Sequence, residues 1–189
     1  MTALVARPEA LELHDAGGTV VGSLEYAGSV DEALAALTAV LGGPPEEEPY
    51  DAGNHNAAGV MHIWDDALKV DEIHYGEGVA RLGDATVGAP DFRVYFDQVE
   101  VRGKELVTRD GVHVGDAFDA LGDRIDPDLW TCSGWAVEHV EVPDPQVGAA
   151  KYGVGLSEWE WDETAQNYGT QVDYVASVSA PVSVASGCV

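Results

Sequence analysis

Basic residues are scarce in this sequence. Nine Lys and Arg stand against 34 Asp and Glu, a formal net charge of −25 over 189 residues. So anionic a surface repels phosphate backbones and anionic lipid headgroups, which argues against nucleic-acid binding and membrane-surface roles. Long apolar runs are missing as well. Nothing approaches the roughly eighteen consecutive apolar residues that cross a bilayer, so no membrane insertion of this segment is expected. The opening "MTALVARPEALELHDAGG" has no basic start followed by an apolar stretch and does not read as an intact signal peptide. A leader or lipid anchor removed upstream of Met1 stays open.

The usual signatures of chemistry are absent too. No HExxH, GxSxG or complete GxGxxG occurs; "GEGVARLG" and "YGVGLSEW" each lack the third glycine, and no phosphate-binding Lys follows them. The six histidines are scattered. His55, His62 and the pair Asp65–Asp66 can approach one another only if the intervening loop folds over a strand. Asp123, Asp126 and Asp128 in "DRIDPD" are spaced closely enough for a calcium loop, but the Gly and distal Glu of an EF-hand are missing, so a polar helix end is the better reading. No catalytic residue, cofactor or metal is therefore expected.

Cysteine is nearly absent. Cys132 lies in "WTCSGW", and Cys188 is the second-last residue. An even pair with one member at an otherwise loose terminus reads as a disulfide and hence an exported, extracellular or cell-envelope protein. Such a bridge stabilises by about 4 kcal/mol in the chain-entropy account. Two buried free thiols are the alternative. There is no CxxC or Cys/His cluster to hold zinc.

One helix is clearly written. In "GSVDEALAALTAVLGGPP" Ser29 and Glu32 form a capping box, apolar residues at 30, 33, 34, 37, 40 and 41 keep helical spacing, and Gly42–Gly43 with Pro44–Pro45 end it. Strand-like segments follow: "MHIW" and "ALKVDEIHY" around an Asp65–Asp66 turn, "GVARLG", and "DFRVYFDQVEVRG", where Phe92, Val94 and Phe96 alternate. The cycle then restarts. "GDAFDAL" begins a second short helix at Ala117–Leu121, with Asp116 and Asp119 at its capping positions, and "GWAVEHVEV", "KYGVGLSEWEW" and "TQVDYVASVSAPV" read as strands.

"GSVDEALAALTAVLGGPP" resembles the start of the repeat in β-lactamase inhibitor proteins and BamE-type outer-membrane assembly lipoproteins. That repeat has a Gly, a hydroxyl cap, an acid, a helix and Leu-Gly-x-Pro before an antiparallel sheet. The second copy departs from it, since "DRIDPD" replaces the Leu-Gly-x-Pro ending. "VTRDGVHVGDAFDAL", "DPDLWTCSGWAVEHVEVPD" and "SAPVSVASGCV" are similar in texture to secreted or lipid-anchored actinobacterial proteins, a likeness of turns, caps and cysteines with no catalytic residue to carry over. The resulting expectation is an α+β protein of two similar halves, each a short helix on an antiparallel sheet of three to four strands. They span 1–105, with an N-terminal extension, and 106–189, closed by Cys132–Cys188. One continuous sandwich is the alternative.

Five tryptophans and seven tyrosines outnumber three phenylalanines. In "GLSEWEWDE" strand alternation puts Trp159 and Trp161 on one face and Glu158, Glu160 and Asp162 on the other. Trp64 and Tyr95 sit in strand segments of the first half. Such side chains supply contact area while tolerating water at one edge, or they are core residues under the helices. The expected function is an exported, non-enzymatic module that binds a protein partner through sheet faces bearing Trp64, Tyr95, Trp159 and Trp161. A cation-binding protein or hydrolase built on an acidic cluster is one alternative. A halophilic cytosolic protein, suggested by only three lysines, is the other.

Overall fold

The computed structural model describes residues 1–52, 58–72, 90–131, 135–138, 151–162 and 167–184, with the backbone alone at 127–130, 151, 161–162, 167–168 and 183–184. Strands dominate. Three come before any helix: β1 (Ala3–Ala6), β2 (Ala10–His14) and β3 (Val20–Glu25). After helix α1 (Val30–Leu41) come β4 (Glu46–Tyr50), β5 (Gly59–Trp64), β6 (Leu68–Glu72) and β7 (Phe92–Phe96). The rest are β8 (Glu100–Val101), β9 (Lys104–Thr108), β10 (Ile125–Trp130), β11 (Ala136–Glu138), β12 (Lys151–Ser157), β13 (Trp159–Asp162), β14 (Asn167–Gln171) and β15 (Ser177–Val184).

These strands form an eight-stranded sheet in the order β10-β11-β12-β15-β7-β6-β5-β4, a five-stranded sheet in the order β3-β2-β1-β9-β8, and a separate ribbon of β13 and β14. The large sheet is antiparallel throughout. In the smaller sheet β1 runs parallel to β9 and antiparallel to β2. Its central position explains the apolar run "ALVA", which is buried at every residue and shows no alternation.

Helix α1 follows its local grammar. The Ser29 hydroxyl accepts from the Glu32 N–H at 3.3 Å, and Gly42 closes the helix at φ 77°, a conformation that costs an L side chain steric strain. Ala33, Leu37 and Leu41, spaced four apart, are its buried stripe. Arg102 then holds the carboxyl end: Nη1 donates to Leu41 O at 3.4 Å and Gly43 O at 3.3 Å, placing a cation where the helix dipole favours one. Its Nε and Nη2 clamp both oxygens of Asp65, and this guanidinium holds the Asp65 carboxyl below the usual aspartate range. Asp65 and Asp66 both adopt φ 54° in the turn joining β5 to β6, where Trp64 O accepts from Ala67 N, as a type I′ hairpin turn requires.

The expectation of two α+β halves is overturned. Among the described residues there is one α-helix, strands of both expected halves share the large sheet, where β7 pairs with β15, and in the smaller sheet β1 pairs with β9. Leu4, Leu11, Leu37, Trp64, Phe96, Leu106, Leu156 and Val178 belong to one buried cluster. The dividing point between 105 and 106 falls inside β9. "GDAFDAL" does not repeat α1 either. It forms one 3-10 turn, Phe118–Ala120, and a second follows at Gly122–Arg124, neither with a side-chain cap. A five-residue segment cannot offset the entropy of nucleating an α-helix, and Gly122 at φ 54° interrupts it. Asp116 caps no helix; its carboxylate accepts from the His113 N–H. The stretch read as an N-terminal extension supplies β1 to β3. "GVARLG", Cys132 and Cys188 lie outside the described residues.

Candidate functional site

Strand alternation sets the two faces of the large sheet. In β7, Phe92, Val94 and Phe96 point into the core at 0–1% exposure, which turns Arg93 and Tyr95 outward. The cross-strand register then builds two rows on the outer face. Glu48, Met61, Asp71 and Arg93 form one; Glu46, Ile63, Lys69 and Tyr95 form the other. Most are half-buried, while Glu46 and Glu48 on the edge strand β4 are exposed.

Tyr50 anchors the end of β4. Its ring lies over Gly59, where an added Cβ would stand 2.4 Å from the phenolic oxygen, so only glycine permits this packing. From there the Tyr50 hydroxyl donates to Asp71 Oδ1 at 2.6 Å. Burial, reinforced by the Asp71 carboxylate, pushes the phenol well above its ordinary value, and it stays protonated. Arg93 Nε donates to Pro181 O at 3.1 Å, and Nη1 to the Tyr95 hydroxyl at 3.2 Å. Lys69 pairs with Asp97 at 2.8 Å beside them. Two tyrosines, an arginine and an aspartate are thus held by hydrogen bonds on one sheet face, with acids along its edge.

The other anticipated contact residues do not gather here. Trp64 faces inward at 0% exposure, and its Nε1 donates to Gly43 O at 3.0 Å. It is a core residue under the end of α1, which removes it from any docking surface. Trp159 and Trp161 lie on the β13–β14 ribbon, opposite Gln171 and Tyr168. Trp159 is half-buried at the ribbon's base, where its N–H donates to Ser157 Oγ at 3.1 Å; the Trp161 side chain lies outside the description. Tyr95 alone joins the outer-face group.

The acidic positions disperse. Asp123 is exposed on a 3-10 turn, Asp126 is a strand residue opposite Val137, and the side chain of Asp128 is outside the description. Among the described residues no three His, Cys, Asp or Glu side chains converge as metal ligands. His62 points inward, with its Nδ1 3.8 Å from Glu47, while His55 lies outside the described residues.

One buried acid escaped the sequence reading. Glu138 on β11 is 1% exposed; its Oε1 accepts from the Thr108 hydroxyl and from the Asp110 N–H at 3.1 Å. Thr108 Oγ1 in turn accepts from the Val112 N–H at 3.0 Å. Burial pushes the Glu138 carboxyl up to about 7, against the pull of the Thr108 hydrogen bond. This group ties the large sheet to the end of β9. Buried at 1% exposure, it bolts the two sheets together. An acid in "AVEHV" reads from sequence as the solvent side of a strand, and only the threonine 30 positions earlier shows otherwise.

No family model, curated protein or solved structure matches this chain.

Proposed function

We propose that the protein is an exported, non-enzymatic binding module that recognises a protein partner on the outer face of the eight-stranded sheet. The observation that carries this reading is the group Tyr50, Asp71, Arg93 and Tyr95. Tyrosine and arginine dominate the energetics of protein interfaces, because they offer large, stiff contact area with a polar tip. Here their hydrogen bonds fix them before any partner arrives, which lowers the entropy lost on docking. Glu46 and Glu48 continue the rows to the sheet edge and suit a partner with basic residues at its rim.

The test is capture of partners from envelope and culture proteins by the intact protein, followed by affinity measurement with Tyr95→Ala and Arg93→Ala. Truncating a central anchor costs more than about 1 kcal/mol, so each variant is expected to bind at least about fivefold more weakly with unchanged circular dichroism. Unchanged affinity in the double variant would discard this face. Trp159→Ala in the same assay reports whether the ribbon contributes.

A further inference from the structure

The two larger sheets have four edges, and three of them are blunted. Edge strand β4 carries Glu46, Glu47, Glu48 and Pro49, all exposed. Edge strand β10 contains Asp126, Pro127 and Asp128, and β8 is two residues long. Charges, prolines and shortness are the devices that keep a strand edge from pairing with another chain. The fourth edge, β3, has none of them along its first five residues.

β3 is six residues long and bonds to β2 on one side only, among the described residues. Val20 and Val21 are 47% and 58% exposed, two of the three large apolar side chains that stand out in solvent in the described structure. Its single charge, Glu25, comes at the end and accepts from the Ser23 hydroxyl at 2.7 Å. Beside it, Glu12 of the neighbouring strand β2 engages both Arg7 and His14, and within the segment that carries β3 the charge is of one sign. From position 15 to position 33 the chain holds Asp15, Glu25, Asp31 and Glu32 and no Lys, Arg or His. Asp15, in the turn before β3, is held as a carboxylate by the Gly17 and Thr19 N–H groups, which lower its pKa.

We propose that β3 is a second docking edge, separate from the tyrosine–arginine face, which takes an extended segment of alternating apolar and basic residues as an added strand. The open backbone edge supplies the ladder, Val20 and Val21 supply apolar contact, and Asp15 and Glu25 flank the strand with charges that attract Lys or Arg. A second copy of this chain fits less well, because it brings the same one-signed stretch and a net charge of −25 to the contact.

The experiment is amide hydrogen exchange on the intact protein in physiological salt, with a capped Lys-Val-Lys-Val-Lys-Val-Lys peptide as probe. The control peptide has proline at the central valine and the same charge, but cannot complete a ladder. Exchange over 20–25 is expected to slow with the first peptide and not with the second. Val20→Lys with Val21→Lys is expected to weaken peptide binding about tenfold, whereas the charge-matched Gln98→Lys with Val99→Lys leaves it near its original value. Equal protection by both peptides, or protection spread over the acidic surface without slowing at 20–25, would overturn the proposal. So would slowing at 20–25 that grows with protein concentration and needs no peptide, since that identifies a second copy as the occupant.

Discussion

Glu138 and Asp71 each accept a hydrogen bond from a hydroxyl, Thr108 in one case and Tyr50 in the other, in contrasting surroundings. Between the sheets, shielded from solvent, the carboxyl is the perturbed partner, and burial pushes Glu138 up to about 7. On the half-buried outer face the phenol is raised, because partial burial and Asp71 both oppose its ionisation. Burial is the first cause of both shifts, on the acid beside Thr108, whose hydroxyl does not titrate, and on the phenol of Tyr50. It also decides what the pair is worth, since an orphaned group in the interior pays its full desolvation penalty while one at the surface turns to water.

That contrast can be broken in graded steps. The largest effect is expected from pH acting on Glu138. Its folded-state pKa lies above the ordinary value of 4.5, so the folded protein binds this proton more tightly than the unfolded chain. The stability it contributes is complete below about 4.5 and is lost as pH rises through about 7, a change of order 3 kcal/mol at about 1.4 kcal/mol per pK unit. Urea denaturation from pH 4 to 8, subtracting the curve of Glu138→Gln, isolates it; parallel curves would contradict the assignment. Next, Thr108→Val orphans the Val112 N–H and leaves Oε1 of Glu138 with the Asp110 N–H alone, and is expected to destabilise by about 1–3 kcal/mol.

On the outer face, Tyr50→Phe is expected to cost about 0.5–1 kcal/mol, because Asp71 can be rehydrated. A loss as large as that of Thr108→Val would show that the face is drier than its exposure indicates. Lys69→Ala, which breaks the ion pair with Asp97, is expected to change stability by less than about 0.5 kcal/mol and to do so only at low salt. Thermal melts at two ionic strengths measure it.

The same distinction between local and distant causes governs what could be seen in the sequence. Helix α1 is legible because its cap, its stripe and its stop all lie between Ser29 and Pro45. Alternation at Phe92, Val94 and Phe96 likewise shows that Tyr95 faces the other way. The same clue misleads at "MHIW", where Met61 and Ile63 are as apolar as Trp64, so nothing local says which side is the core. Pairing is harder still. Arg93 and Pro181 are 88 positions apart, and no turn residue between them announces that β7 and β15 are neighbours. "GDAFDAL" reads as a second helix start like "GSVDEAL" because a helix start is written in a few residues, whereas helix formation depends on those that follow.

The parallel pairing of β1 with β9 also bears on synthesis. Ala3 to Ala6 are made well before Glu105 to Thr108, for which they wait before their sheet can be completed, and β7 waits almost as long for β15. A fold of such long-range pairings forms slowly and late, because loop closure must precede any gain from the ladder. While it waits, the nascent chain displays β1 and β7 each with one open edge, and its surplus of carboxylates opposes pairing with a second acidic chain.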